Sequence, residues 1–90
     1  MPLQKDTQYE KAVLEYHNHP DGRSDEEFRR WELAESQKTK DMSHGYELAR
    51  KRLEDQKCIE PRSGRYYLAE MGRTRLEELK AIDQDPNLRT

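Results

Sequence analysis

The sequence has very little of what a hydrophobic core is made from. Thirteen of its 90 residues are Leu, Ile, Val or Phe, about 14%, against the roughly 20% below which chains that also carry a large net charge stay disordered. That large net charge is missing as well: 17 Lys and Arg nearly cancel 19 Asp and Glu, leaving a formal charge of -2. A chain that is 40% charged yet almost neutral describes a thin-cored, highly solvated helical domain. Five Tyr and one Trp supply part of the absent aliphatic volume. A polycation obliged to find nucleic acid is excluded, so any such activity has to come from local patches.

Other absences narrow the class further. No run approaches the roughly 20 apolar residues of a membrane span. Met1-Pro2-Leu3-Gln4-Lys5-Asp6 has no apolar signal-peptide core, so the expected compartment is the cytoplasm, with no membrane partner. The single cysteine, Cys58, cannot close an internal disulfide, which fits a reducing environment. No Gly-rich phosphate loop occurs and no carboxylate pair falls in an evident cleft pattern, so the chain is not expected to be an enzyme. No metal or cofactor site is expected either. His17 and His19 stand two apart and would not share a helix face, and His44 and Cys58 have no spaced companions.

What is present is helical patterning with clear punctuation. Residues 1–7 read as a flexible arm, residues 8–82 as one domain and residues 83–90 as a disordered tail. Tyr9, Ala12, Val13 and Tyr16 form one apolar stripe over Gln8 to Asn18, the spacing of an amphipathic helix. His19-Pro20-Asp21-Gly22 stops it, because proline cannot continue and Asp-Gly favours a turn. Ser24-Asp25-Glu26-Glu27 is a capping box with three acids at the positive end of a second helix. That helix carries Phe28, Trp31, Leu33 and Ala34 on its apolar side and runs to about Gln37. Gln37 to Asp41 reads as a connector. Ser43 caps a third helix, His44 to Gln56, with Met42, Tyr46, Ala49 and Leu53 facing inward. Cys58-Ile59, the Pro61-Arg62-Ser63-Gly64 turn and Arg65 to Leu68 make a hairpin. Gly72 to Ile82 closes the domain as a helix with Leu76, Leu79 and Ile82 on one stripe. The fold class predicted is mainly α with a small β-hairpin, in the order α-α-α-β-β-α.

The C-terminal half carries more than element order. Arg52-Leu53-Glu54-Asp55-Gln56-Lys57-Cys58-Ile59-Glu60, then Ser63-Gly64-Arg65-Tyr66-Tyr67-Leu68-Ala69-Glu70-Met71-Gly72-Arg73, then Leu76 and Leu79, resembles the winged helix-turn-helix transcriptional regulators. Their general form is R-L-E-x-x-G-L-I-E, a short basic wing, Y-x-L-T-x-x-G-R and a leucine-bearing helix. The resemblance is nearest to multiple-antibiotic-resistance-type repressors and to the small one-domain repressors of haloarchaea and their viruses. The latter place residues like Ser43-His44-Gly45-Tyr46 at the start of the third helix. Two departures stand out: Lys57 occupies the family's left-handed glycine position, and Ala69 replaces the threonine that caps the last helix.

The resemblance implies a small sequence-specific DNA-binding regulator of the repressor type, such as viruses and mobile elements encode. Ser43, His44, Glu47 and Lys51, flanked by Arg50, would read the major groove. Arg62 and Arg65 of the wing would lie on the backbone or in the minor groove. Arg50 to Arg75 holds eight basic and four acidic residues, the asymmetry expected of a DNA reader. The partner would be double-stranded DNA, with a homodimer spanning two half-sites. The other reading is a winged-helix protein-interaction module that does not bind DNA. In it, Asp25, Glu26, Glu27, Glu32 and Glu35 would meet a basic protein partner.

Overall fold

The computed structural model describes residues 5–40 and 44–84. Its elements run α1 (Lys5–His17), β1 (Arg23–Ser24), α2 (Asp25–Thr39), α3 (Gly45–Asp55), β2 (Ile59–Arg62), β3 (Arg65–Leu68) and α4 (Glu70–Gln84). The chain is mainly helical with a small antiparallel sheet in the order β1-β3-β2. Met42 and Ser43, and most of the expected arm and tail, lie outside the described residues. Lys5 to Thr7, expected in the arm, form the first turn of α1 instead, with Asp6 at the positive helix end.

Local chemistry accounts for most boundaries. The Ser24 hydroxyl accepts from the Glu27 backbone N–H at 3.1 Å, and the Ser24 N–H donates to Glu27 Oε1 at 3.0 Å, so both orphan donors of α2 are satisfied. The helix then continues through Thr39, two residues past the expected Gln37, and closes on left-handed Lys40. In the hairpin, Arg62 pairs with Arg65, and the turn between them puts Ser63 and Gly64 at positive φ. Two left-handed central residues match the twist of the flanking strands.

Strand β1 carries no sequence signature. Two residues of extended backbone between the Gly22 turn and the α2 cap pair with Tyr66 and Arg65 of β3. Gly22 makes this approach possible: its φ is +67, and a Cβ there would lie 2.7 Å from the Tyr66 carbonyl oxygen.

The core is lean and lies where α1 meets α3 and α4. Val13, Leu14, Phe28, Leu53, Ile59, Leu76 and Leu79 are almost wholly buried, each contributing about 1.5–3 kcal/mol of burial. Aromatic rings bridge the first three helices. Tyr16 stacks on Trp31 at 4.5 Å, Trp31 meets Tyr46 edge-on at 5.1 Å, and Tyr46 meets Tyr9 at 4.9 Å. One expectation about the core is corrected, at Leu33, and one core residue outside the expected stripe, Leu14, is added. Leu33 is 59% exposed, because α2 buries little beyond Phe28 and its second half projects past the core. Leu14 is fully buried, because α1 is covered on two sides by α3 and α4, so its buried arc is wider than the Tyr9-Val13 stripe.

Lys57 adopts the left-handed conformation anticipated from its register, with φ at 64. Cys58 N–H donates to the Leu53 carbonyl at 2.8 Å and Lys57 N–H to the Glu54 carbonyl at 3.0 Å, the paired bonds of a Schellman cap. The capping geometry is complete while the residue type is unfavourable. Lys57→Gly is therefore expected to raise stability by about 1 kcal/mol, read as a higher urea midpoint at unchanged slope.

Candidate nucleic-acid interface

Helix α3 buries Tyr46, Ala49 and Leu53 and leaves His44, Glu47, Leu48, Lys51 and Arg52 exposed. These five share one outward face at helical spacing. His44 opens the helix in the left-handed conformation, φ 58, and makes no side-chain capping bond. Ser43, expected as the cap and as a base-reading residue, lies outside the described residues. Lys51 and Arg52 form no ion pair among the described residues, and Arg52 is a surface cation that the sequence reading passed over.

Arg50 does not flank this surface. Its guanidinium sits 4.4 Å from the Phe28 ring centroid and 4.8 Å from that of Tyr66. It donates to Asp25 Oδ1 at 2.9 Å and lies 3.7 Å from Glu54, with a side chain only 12% exposed. The expectation that it contacts DNA is corrected on that ground: the side chain is a bolt between α2, α3 and the hairpin. Packing decides this, since the core lacks enough aliphatic volume and the Arg stem and two aromatic faces fill the gap.

The β2–β3 hairpin divides in the same way. Arg62 is 62% exposed, lies over the Tyr67 ring at 4.7 Å and is 3.7 Å from Glu60, so its head reaches solvent at the turn. Arg65 points back. Its Nε donates to the Asp21 carbonyl at 2.7 Å, and its Nη2 donates to the Gly22 carbonyl at 3.2 Å and to Glu27 at 2.8 Å. The Ser24 backbone bond, followed by Arg65, holds the Glu27 carboxyl below the usual carboxylate range. Arg65 thus staples the hairpin to the start of α2 through Nε and Nη2, while its side chain stays 38% exposed.

A cavity of about 490 Å³ opens beside the hairpin, lined by Asn18, His19, Pro20, Arg62, Tyr67, Leu68 and Arg73. Two arginines and a histidine line it and no acid does, which is the composition of a seat for an anion such as a phosphate. Arg73 closes the G-R pair of the sequence motif, and that pair was the signal that could have identified it. On the opposite side, a groove of about 810 Å³ between α1 and α4 contains Glu10, Glu70, Arg75 and Glu78, with Cys58 at its floor. Burial pushes the Cys58 thiol up, so it behaves as a small core residue and not as a nucleophile.

The basic surplus of residues 50–75 is mostly spent inside the fold. Arg50 pairs with Asp25, Arg65 with Glu27 and Arg75 with Glu10, all acids from outside that window. What remains outward is Lys51, Arg52, Lys57, Arg62 and Arg73, all exposed. The acids of the first turn of α2 are paired likewise, with Asp25 bound to Arg29 and Arg50, Glu26 to Arg30, and Glu27 to Arg23 and Arg65, while Glu32 and Glu35 form no ion pair among the described residues. No helix among the described residues is long and apolar enough to cross a membrane. Comparison with protein-family models, with curated proteins and with solved structures finds no match to this chain.

Proposed function

We propose that this chain is a winged helix-turn-helix protein that binds double-stranded DNA and acts as a small transcriptional regulator. In this reading α3 enters the major groove and the β2–β3 turn is the wing. The supporting observation is the element order with its additional strand. A helix, a two-residue strand, two helices, a hairpin and a closing helix, with β3 central in the sheet, leave α3 and the hairpin turn both uncovered. On α3, Lys51 and Arg52 suit phosphates or guanine edges, and Leu48 suits a thymine methyl. Arg62 and Arg73, beside the wing cavity, suit the backbone. So few free cations make one copy a weak binder, and two copies on a two-fold site are the natural mode of tight binding.

The competing reading, an acidic α2 that meets a basic protein, is weaker at Asp25, Glu26 and Glu27, which are already paired with arginines of the same chain, and rests on Glu32 and Glu35, which form no ion pair among the described residues. Fluorescence anisotropy against a short duplex over a salt series tests the DNA reading. Arg62→Ala and Lys51→Ala are each expected to flatten the plot of log affinity against log salt by about one unit. Arg65→Ala, at a temperature where it stays folded, is expected to leave the slope unchanged. Equal flattening by Arg65→Ala would return that residue to the interface, and no binding at low salt would favour the protein-interaction reading.

A further inference from the structure

We propose that Glu32, His44 and Glu47 form a binding site for a divalent transition metal ion such as zinc, nickel or cobalt. Glu32 comes from α2, and the other two come from the first turn of α3 and the residue that opens it. One donor atom from each lies within 4.8 Å of the others. The group is mixed, two carboxylates and an imidazole. Glu32 Oε2 is shut off from water and has no hydrogen-bond partner among the described residues. Glu32, His44 and Glu47 form no ion pair among the described residues.

A desolvated carboxylate oxygen without a donor is a costly arrangement, and a second carboxylate beside it makes it costlier. Two carboxylates and the acceptor nitrogen of a neutral imidazole are satisfied together by a metal cation. The imidazole decides its class: calcium and magnesium require six or more oxygen ligands, whereas histidine with carboxylates suits zinc, nickel or cobalt. Metal–ligand bonds of about 2.0–2.2 Å require donor atoms about 3.5 Å apart. Closing the remaining gap of about 1 Å is within the reach of rotations of Glu47 and His44, which are both exposed. Their exposure leaves the remaining coordination positions to water.

Sequence spacing does not reveal this set, because Glu32 and His44 are separated by the whole second half of α2 and the connector. The proposal is independent of DNA binding, although the same His44 and Glu47 lie on the outward face of α3. Calorimetry of the intact protein with zinc chloride tests it, supported by the visible absorption of added cobalt. One saturable equivalent per chain is expected. His44→Ala should abolish it, and Glu32→Gln or Glu47→Gln should each weaken it by at least the roughly 10–100-fold that loss of even an outer-sphere partner costs. As a readout that needs no variant, the ring nitrogens of His44 should shift on zinc addition to the wild-type protein while those of His17 and His19 stay in place. The absence of a saturable equivalent would overturn the assignment. So would binding that survives His44→Ala, or a zinc response at His19 in place of His44.

Discussion

Lowering the pH from 6.5 to 4 is expected to cost the fold about 3 kcal/mol through His17 alone. The side chain is fully buried at the end of α1. Its Nδ1–H donates to the Val13 carbonyl at 2.8 Å, and its Nε2 has no partner. Burial, with help from the charges of Arg50 and Arg23, holds its pKa down to about 4 from 6.5. The unfolded chain therefore takes up a proton near pH 6.5 that the folded chain refuses until about pH 4. Stability is unaffected above this window, falls steadily as pH drops through it, and levels off below it as far as His17 is concerned. A loss of this size is a large share of the roughly 5–15 kcal/mol available to a small domain. Urea unfolding at a series of pH values measures it. His17→Leu should remove this component of the pH dependence, and parallel curves for wild type and variant would show that the proton is taken up elsewhere.

Arg50→Ala is expected to destabilise the fold by about 2–4 kcal/mol, far more than a surface arginine would. The substitution removes two cation–π contacts and an aliphatic stem from the junction of α2, α3 and β3, and it leaves Asp25 and Glu54 without their shared cation. Arg50→Met keeps much of the packing volume and should recover part of the loss, separating stem from charge. Asp25→Asn should cost less than about 1 kcal/mol, since that carboxylate is 42% exposed and retains water. An Arg50→Ala protein within 0.5 kcal/mol of wild type by denaturant titration would mean that the side chain is a surface group after all.

The contrast between Arg50 and Lys51 shows how far the sequence reads. Helix boundaries that depend on neighbouring residues were legible: the Ser24–Glu27 capping box, the His19-Pro20-Asp21-Gly22 stop and the Ser63-Gly64 turn each act through bonds or dihedrals within four residues. Lys57 was legible as a left-handed position only through its register in the winged-helix resemblance, since lysine itself does not favour that conformation. What depends on distant partners was not. Strand β1 exists because β3 is beside it, and nothing in Arg23-Ser24 announces that. Leu14 and Leu33 exchange roles because α1 is enclosed and the end of α2 is not.

The candidate site suffers most from this limit, because a window of charges says nothing about which arginines will face acids from another helix. Arg50 is drawn into an interior joint, and Arg65 is tied to the start of α2 while staying partly exposed. Arg52 and Arg73 carry the outward charge with Lys51 and Arg62. The Glu32–His44–Glu47 group joins two elements across the connector and has no local pattern at all.

The most direct test of DNA recognition by α3 and the wing is amide NMR of the wild-type protein titrated with a short duplex at low salt. Shifts are expected at His44, Glu47, Leu48, Lys51 and Arg52, together with Arg62 to Gly64 and Arg73, while the outer face of α2 around Glu26 and Arg30 stays silent. No shifts, or shifts confined to α2, would contradict it.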